Sequence, residues 1–338
     1  MASRSRKKQF RGFKRWCLVA VIFLLVCVSL VVWMTFTPMV QTDGQWKEVR
    51  VKPGASLHSV ANSLARASVI RNAWLFEHLI ARRGQFEQGL YRFRTSERPI
   101  RIYQRLIRGD WERVRITIPE GFTLDQIGKR LYKANLIDNE AAFLSVAEQA
   151  AGDLVPFLQE PLTLEGYLFP DTYIIPVGME TLAILELMHS RQRDVLSKVP
   201  NVPTDPTALH RLITIASMIE REAITDRDRP LVASVLGNRL RKGMRLQIDA
   251  TVQYALGRHV NRVLYSHLRV DNPYNTYRNK GLPPGPIANP GLRALTAAAN
   301  PALSPYLFYV LGPDRKNHVF TTSYRDHLVA VRKYRARP

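Results

Sequence analysis

Cysteine is almost absent from this 338-residue chain: Cys17 and Cys27 are its only two, and both lie inside one long apolar run. Whatever follows that run contains no thiol, so zinc ribbons, thiol nucleophiles and disulfide scaffolds are excluded from it. Histidine pairs are missing as well. The eight histidines (58, 78, 189, 210, 259, 267, 318 and 327) are never three or four apart, so no helical metal pair exists. Neither a Gly-x-Ser-x-Gly elbow nor a Gly-Lys-Ser/Thr phosphate loop occurs, which sets aside the α/β-hydrolase and P-loop classes. The inventory implies no metal and no cofactor. With 18 glycines and 21 prolines the chain also lacks the bias of low-complexity or fibrous proteins, and its 46% hydrophobic content suffices for packed cores.

Acidic residues are scarce at the start. Residues 1–15 hold seven basic side chains and no acid, and Trp16 to Phe36 then runs 21 residues without a charge. At 1.5 Å per residue that run covers about 30 Å, the thickness of a bilayer's hydrocarbon layer, and it exceeds the apolar stretch of a cleavable signal. Aromatic residues near both ends (Trp16, Trp33, Phe36) suit the two interfaces, and the basic cluster stays cytoplasmic. The expectation is a cytoplasmic stub (1–15), a single-pass anchor (16–36), a linker (37–46) and an exported remainder. Of the net charge of +21, seven units belong to the stub, leaving about +14 for a region that meets no nucleic acid. Anionic lipid headgroups or an acidic wall polymer are the partners open to it.

A repeat follows. With a shift of 67 residues, Gly54 pairs with Gly121, Ser56 with Thr123, Leu57 with Leu124, Val60 with Ile127, Leu64 with Leu131, Ile70 with Ile137 and Phe76 with Phe143. Each copy reads as a short strand (48–51; 114–118), a glycine turn and a helix with apolar positions at helical spacing. Ser56 and Thr123 stand at N-caps, Gln126 completes a capping box, and Asn72 and Asn139 open a second helix. Strand 89–93 and helix 99–107 close the first copy. The strand, helix, helix, strand order resembles the LysM module, which binds N-acetylglucosamine-containing glycans; a structural α/β spacer is the alternative reading. The module covers 47–112.

Beyond Thr207, Leu212-Ile-Thr-Ile-Ala-Ser-Met-Ile-Glu-Arg-Glu-Ala223 predicts a helix with a buried stripe of Leu212, Ile215, Ala216, Ile219 and Ala223. Glu220 lies beside that stripe with Ala216, Ser217, Ala223 and Ile224 one turn away. Small and apolar neighbours desolvate a carboxylate and raise its pKa, as a general acid requires; a buried salt-bridge partner is the other reading. Glu222, next to Arg221 and Asp226, is expected to face water. A second helix runs from Arg229 to Arg241. Glu165-Gly-Tyr-Leu-Phe-Pro-Asp-Thr-Tyr173, Leu246-Gln-Ile-Asp-Ala-Thr-Val-Gln-Tyr254, Tyr274-Asn-Thr-Tyr277 and Gly281-Leu-Pro-Pro-Gly-Pro-Ile-Ala-Asn-Pro-Gly291 gather amides, carboxylates and rings suited to sugar contacts.

Taken in order, these segments resemble the YceG-like (MltG) family of membrane-anchored endolytic murein transglycosylases. The resemblance implies an α+β chain: a single N-terminal transmembrane helix, the LysM-like α/β module, then a mixed α+β catalytic domain over 113–338. That domain would have a helical lysozyme-like active-site region and a repeat-like subdomain at 113–150. It implies that Glu220, the first acid of Ala-Ser-x-x-Glu-x-Glu, is catalytic, and that the substrate is the peptidoglycan glycan strand, cut without water to leave a 1,6-anhydro end. Glu165, Asp171, Tyr173, Ser217, Gln247, Asp249, Thr251, Tyr254, Asn275, Tyr277 and Asn289 are the candidate substrate-binding residues. The resemblance also implies location at the bacterial inner membrane with the catalytic domain outside the cytoplasm, a role in ending nascent strands, and a peptidoglycan synthase as partner. A muramidase and a non-catalytic wall-binding scaffold are the alternatives. A muramidase needs a second carboxylate about 5–9.5 Å from Glu220, with Asp249, Glu165 and Asp171 as its candidates.

Overall fold

A computed structural model describes residues 3–42, 44–81, 86–156, 163–257, 260 and 263–335, without the side chains of 3–15, 17, 20 and 335. His259 lies outside the described residues. The chain is mixed α+β and divides into two compact units, residues 1–114 with 176–179 and residues 115–175 with 180–338.

The first unit opens with α1 (Ser3–Phe36). Its described apolar side chains stand largely open, Phe23 at 70% and Leu24 at 62% exposure. Taken over the described residues alone, no helix is long and apolar enough to cross a membrane. The end of α1 is clamped: the Arg71 guanidinium stacks on Trp33 at 4.3 Å and donates to the Thr37 and Met39 carbonyls. β1 (Trp46–Val51) follows, then α2 (Leu57–Arg66) and the short α3 (Ala73–Leu75), which runs on as a π-helical turn over Phe76–Ile80. β2 (Gly89–Arg94) and α4 (Pro99–Arg108) complete it.

β1 and β2 are antiparallel with Val49 opposite Tyr91. Strand alternation turns Val49, Val51, Tyr91 and Phe93 inward, onto Val60, Ala61 and Leu64 of α2 and Ile102 and Leu106 of α4. Residues 176–179 join this unit because the Val177 carbonyl accepts from the Leu90 N–H.

The second unit contains most of β3 (Arg113–Thr117) and β4 (Thr172–Pro176), with α5 (Leu124–Lys133), α6 (Glu140–Leu154) and α7 (Thr181–Leu196). Next come α8 (Pro206–Glu222), α9 (Asp228–Arg241), α10 (Asp249–Ala255), a 3-10 turn at His267–Arg269 and α11 (Leu292–Ala299). The hairpin β5 (Phe308–Leu311) and β6 (His318–Thr321) precedes α12 (Tyr324–Arg335). β3 pairs with β4, and β5 with β6.

The repeat persists in local geometry. Ser56 and Thr123 cap α2 and α5, with the full capping box at Thr123 and Gln126. Ser68 and Asn135, again 67 residues apart, both adopt left-handed backbone just past those helices. α8 differs from its expected single stripe. Ile213, Thr214, Ser217 and Met218 are buried besides Leu212, Ala216 and Ile219, whereas Ile215 is half-buried. The helix is enclosed on most of its circumference because α9, α10 and α11 all pack against it.

Candidate active site

Glu220 occupies the last turn of α8, which stops as Ala223 leaves helical backbone at φ −94°, ψ 120°. Its side chain is 6% exposed. Ala216, Ser217 and Ala223 are buried around it, as their spacing predicts, but Ile224 is 59% exposed. Glu220 Oε2 accepts the Gly291 N–H at 3.0 Å, and Oε1 lies 3.5 Å from Nη2 of Arg229 on α9. Burial raises the Glu220 carboxyl above its ordinary range. The Gly291 amide draws it back, the charge of Glu120 pushes it up, and Arg229 lowers it, with a net rise. A raised carboxyl holds its proton to higher pH than an ordinary glutamate, and this one has donors ready for the anion that remains when the proton leaves. Arg229 itself is held by Asp226, which also accepts from Arg293 of α11 at 2.7 Å.

Three segments far apart in sequence converge to deliver the Gly291 amide. Ser217, one turn before Glu220, accepts the Ile287 N–H at 3.0 Å and fastens the 285–289 loop to α8. Asn289 then ties that loop to the second glycine turn: its N–H donates to the Phe122 carbonyl at 2.8 Å, and its carbonyl accepts the Gly121 N–H at 2.9 Å. Its side chain is fully engaged, accepting the Leu168 N–H and donating to the Phe122 carbonyl and to Glu165 Oε1. Glu165, 3% exposed, also accepts the Leu124 N–H and the Tyr254 hydroxyl. Burial lifts its carboxyl to about 8, against the pull of those donors. Tyr254 packs at 4.8 Å on Tyr274.

Among the residues expected to bind substrate, Ser217, Glu165, Asn289 and Tyr254 are therefore brought into the framework around Glu220. Ser217, Glu165 and Asn289 are enclosed, with their polar groups engaged inside the protein, so they build the site and do not face a ligand. A second group gathers near Glu222. The Tyr277 hydroxyl donates to Asp249 Oδ1 at 2.6 Å, and Gln247 is exposed with φ +54°. Thr251 and Asn275 are fully buried: Thr251 bonds Thr276 and the Ile248 carbonyl, and Asn275 donates to the Leu268 and Val270 carbonyls. These two shape their loops and do not face a ligand. Asp171 and Tyr173 sit at β4, where Asp171 pairs with Arg191 at 2.7 Å and the buried Tyr173 hydroxyl donates to the Phe169 carbonyl.

Glu222 is a correction. Instead of facing water it is half-buried, accepting the Tyr309 hydroxyl at 3.0 Å and the Ala250 N–H, and burial lifts its carboxyl to about 7. Strand β5 and the start of α10 cover the end of α8, a closure that the residues beside Glu222 in sequence do not encode. An acid whose charge acts on Glu220 is Glu120, in the turn of the second repeat copy. The available signal was the one residue inserted between proline and glycine there, Pro119-Glu120-Gly121 against Pro53-Gly54.

Comparison with known proteins shows the family. A model of the YceG-like family matches residues 49–333. An endolytic murein transglycosylase of Bacillus subtilis (strain 168) is 34% identical over 309 residues, covering 85% of this chain and 84% of that protein. One from Streptococcus pneumoniae serotype 2 (strain D39 / NCTC 7466) is 26% identical over 323 residues, 86% of this chain but 58% of the longer relative. A crystal structure of a yceG-like protein from Listeria monocytogenes superposes with a TM-score of 0.57 at 30% identity, covering 85% of this chain and 99% of that one.

Proposed function

Because the chain belongs to the YceG-like family, we propose that it is an endolytic murein transglycosylase, cutting the β-1,4 bond between N-acetylmuramic acid and N-acetylglucosamine in peptidoglycan strands. The observation that carries this is Glu220: a carboxyl 6% exposed, raised by burial, with an amide donor and an arginine on its two oxygens. Glu220 donates its proton to the glycosidic oxygen as the C1–O4 bond breaks. The resulting carboxylate is held by the Gly291 N–H and Arg229, and it takes the proton of the C6 hydroxyl as that oxygen attacks C1. One acid thus serves both halves, and the product is a 1,6-anhydro end. A nucleophile on the same ring has the advantage of proximity and needs no separately activated water.

The remaining assignments support the same reading. Residues 16–36, uncharged, preceded by seven basic side chains and with their described apolar groups largely exposed along α1, form the membrane anchor and leave the catalytic domain outside the cytoplasm. Residues 47–112 are the LysM-like module that engages glycan, and 113–338 form the catalytic domain. Among the remaining candidates, the exposed Gln247 and Asp249, with Tyr277, are available to substrate. Nascent strands made by a neighbouring synthase are the natural substrate of an enzyme tethered in this way.

Digestion of purified peptidoglycan in oxygen-18 water tests the reaction. New muramoyl ends should be 18 mass units below reducing ends, unlabelled and inert to borohydride. Ends that carry the heavy oxygen and reduce with borohydride would make the protein a muramidase.

A further inference from the structure

The two turns of the repeat differ in length by one residue, and that residue reaches the site. The first copy passes directly from Pro53 to Gly54; the second inserts Glu120 between Pro119 and Gly121. Both glycines adopt left-handed backbone, φ +66° and +76°, and the insertion adds a side chain just before the second of them. The second turn is fixed in place by the paired backbone hydrogen bonds of Gly121 and Phe122 with Asn289, and Nη1 of Arg221 donates to the Gly121 carbonyl at 3.3 Å. A Cβ on Gly121 would meet Glu220 Cγ at 3.6 Å, and a Cβ on Gly291 would run into the Glu120 carboxylate. The exposed carboxylate of Glu120 therefore lies against the residue whose amide holds Glu220.

We infer that Glu120 is the second carboxylate of this site, a positioning residue that acts on the reaction through Glu220. The inference rests on the proposed role of Glu220 as the acid. Among the described residues, the charged groups facing Glu220 are few. α9 supplies Arg229, the 119–122 turn supplies Glu120, and Arg221 is its neighbour on α8; Asp226 and Arg293 act at one remove through Arg229. Arg229 favours the carboxylate and Glu120 opposes it, so the two set how readily Glu220 gives up its proton and takes one back. A like charge nearby disfavours ionisation. Because Glu120 is exposed, its influence passes partly through solvent and is screened by salt. Gly291 is required here by space and not by backbone: its φ of −81° is open to any residue, but a side chain would displace Glu120.

The test is the pH dependence of glycan cleavage by the full-length protein in detergent, for wild type, Glu120→Gln, Glu120→Asp, Gly291→Ala and Glu220→Gln, with a thermal melt of each. Removal of the Glu120 charge lets Glu220 ionise sooner. Glu120→Gln should therefore shift the alkaline fall of activity to lower pH and leave the melt unchanged. Glu120→Asp should restore the wild-type position. Gly291→Ala keeps the amide donor and pushes Glu120 away, so it should move the profile in the same direction. An alkaline limb unmoved in both Glu120→Gln and Gly291→Ala, or a uniform drop at all pH values, overturns the inference. If Glu220→Gln is inert while the limb stays put, this inference alone falls. If Glu220→Gln still cleaves, the catalytic reading falls and takes this one with it.

Discussion

Glu165 offers a test of the framework that is independent of activity. In the folded protein its carboxyl stays protonated up to about pH 8, because it is buried among Leu124, Asn289 and Tyr254; in the unfolded chain it ionises near the ordinary 4.5. Between those values the folded state binds a proton that the unfolded state has lost, so stability falls as pH rises. At about 1.4 kcal/mol per unit, the full shift corresponds to up to about 5 kcal/mol across pH 4.5–8. Glu222, lifted to about 7, acts in the same direction over pH 4.5–7. Glu220, whose carboxyl burial also raises, acts in the same direction, so over pH 7 to 8 the share of Glu165 is the difference between the wild type and Glu165→Gln, with an expected loss of about 1 kcal/mol. Glu165→Gln keeps a neutral side chain of the same shape, whose carbonyl accepts from Leu124 and Asn289. Urea unfolding at several pH values should show the wild type losing more stability from pH 7 to 8 than the variant. Equal slopes for the two proteins over that interval would refute the argument that this carboxyl is buried and neutral.

Asn289→Ala should cost about 2–4 kcal/mol in the same unfolding assay, because it strips partners from the buried Leu168 N–H, the Phe122 carbonyl and Glu165 at once. A loss below 1 kcal/mol would mean that the three segments are joined by other means. Removal of residues 1–37 should leave a folded protein that stays in solution without detergent and still cuts isolated peptidoglycan; a folded but inactive product would give the anchor a part in catalysis.

What could be read from the sequence was local. Caps at Ser56, Thr123 and Asn139, the 67-residue repeat and the enclosure of Glu220 by Ala216 and Ser217 all follow from residues within one or two turns of each other, where helical spacing carries the information. What could not be read was joined over distance. Asn289 meets Phe122 across 167 positions and Glu165 across 124, and no local period reports such a pairing. Glu222 went astray for the same reason: its neighbours in sequence point to solvent, while Tyr309, 87 residues later, closes over it. Glu120 was in view as part of the repeat, but its importance rests on the docking of its turn beside Gly291. Asn275 and Thr251 looked like ligand contacts because polar residues in turns serve both uses; here they hold the turns themselves.

The central claim is that Glu220 delivers and recovers the proton. Glu220→Gln is nearly isosteric, retains an acceptor for the Gly291 amide and should melt as the wild type does. Purified and supplied with uncrosslinked glycan strands, it should lose activity by at least ~10²–10⁴, the usual contribution of general acid–base catalysis. Cleavage at the wild-type rate by the folded Glu220→Gln protein would contradict the account and move the chemistry to another acid.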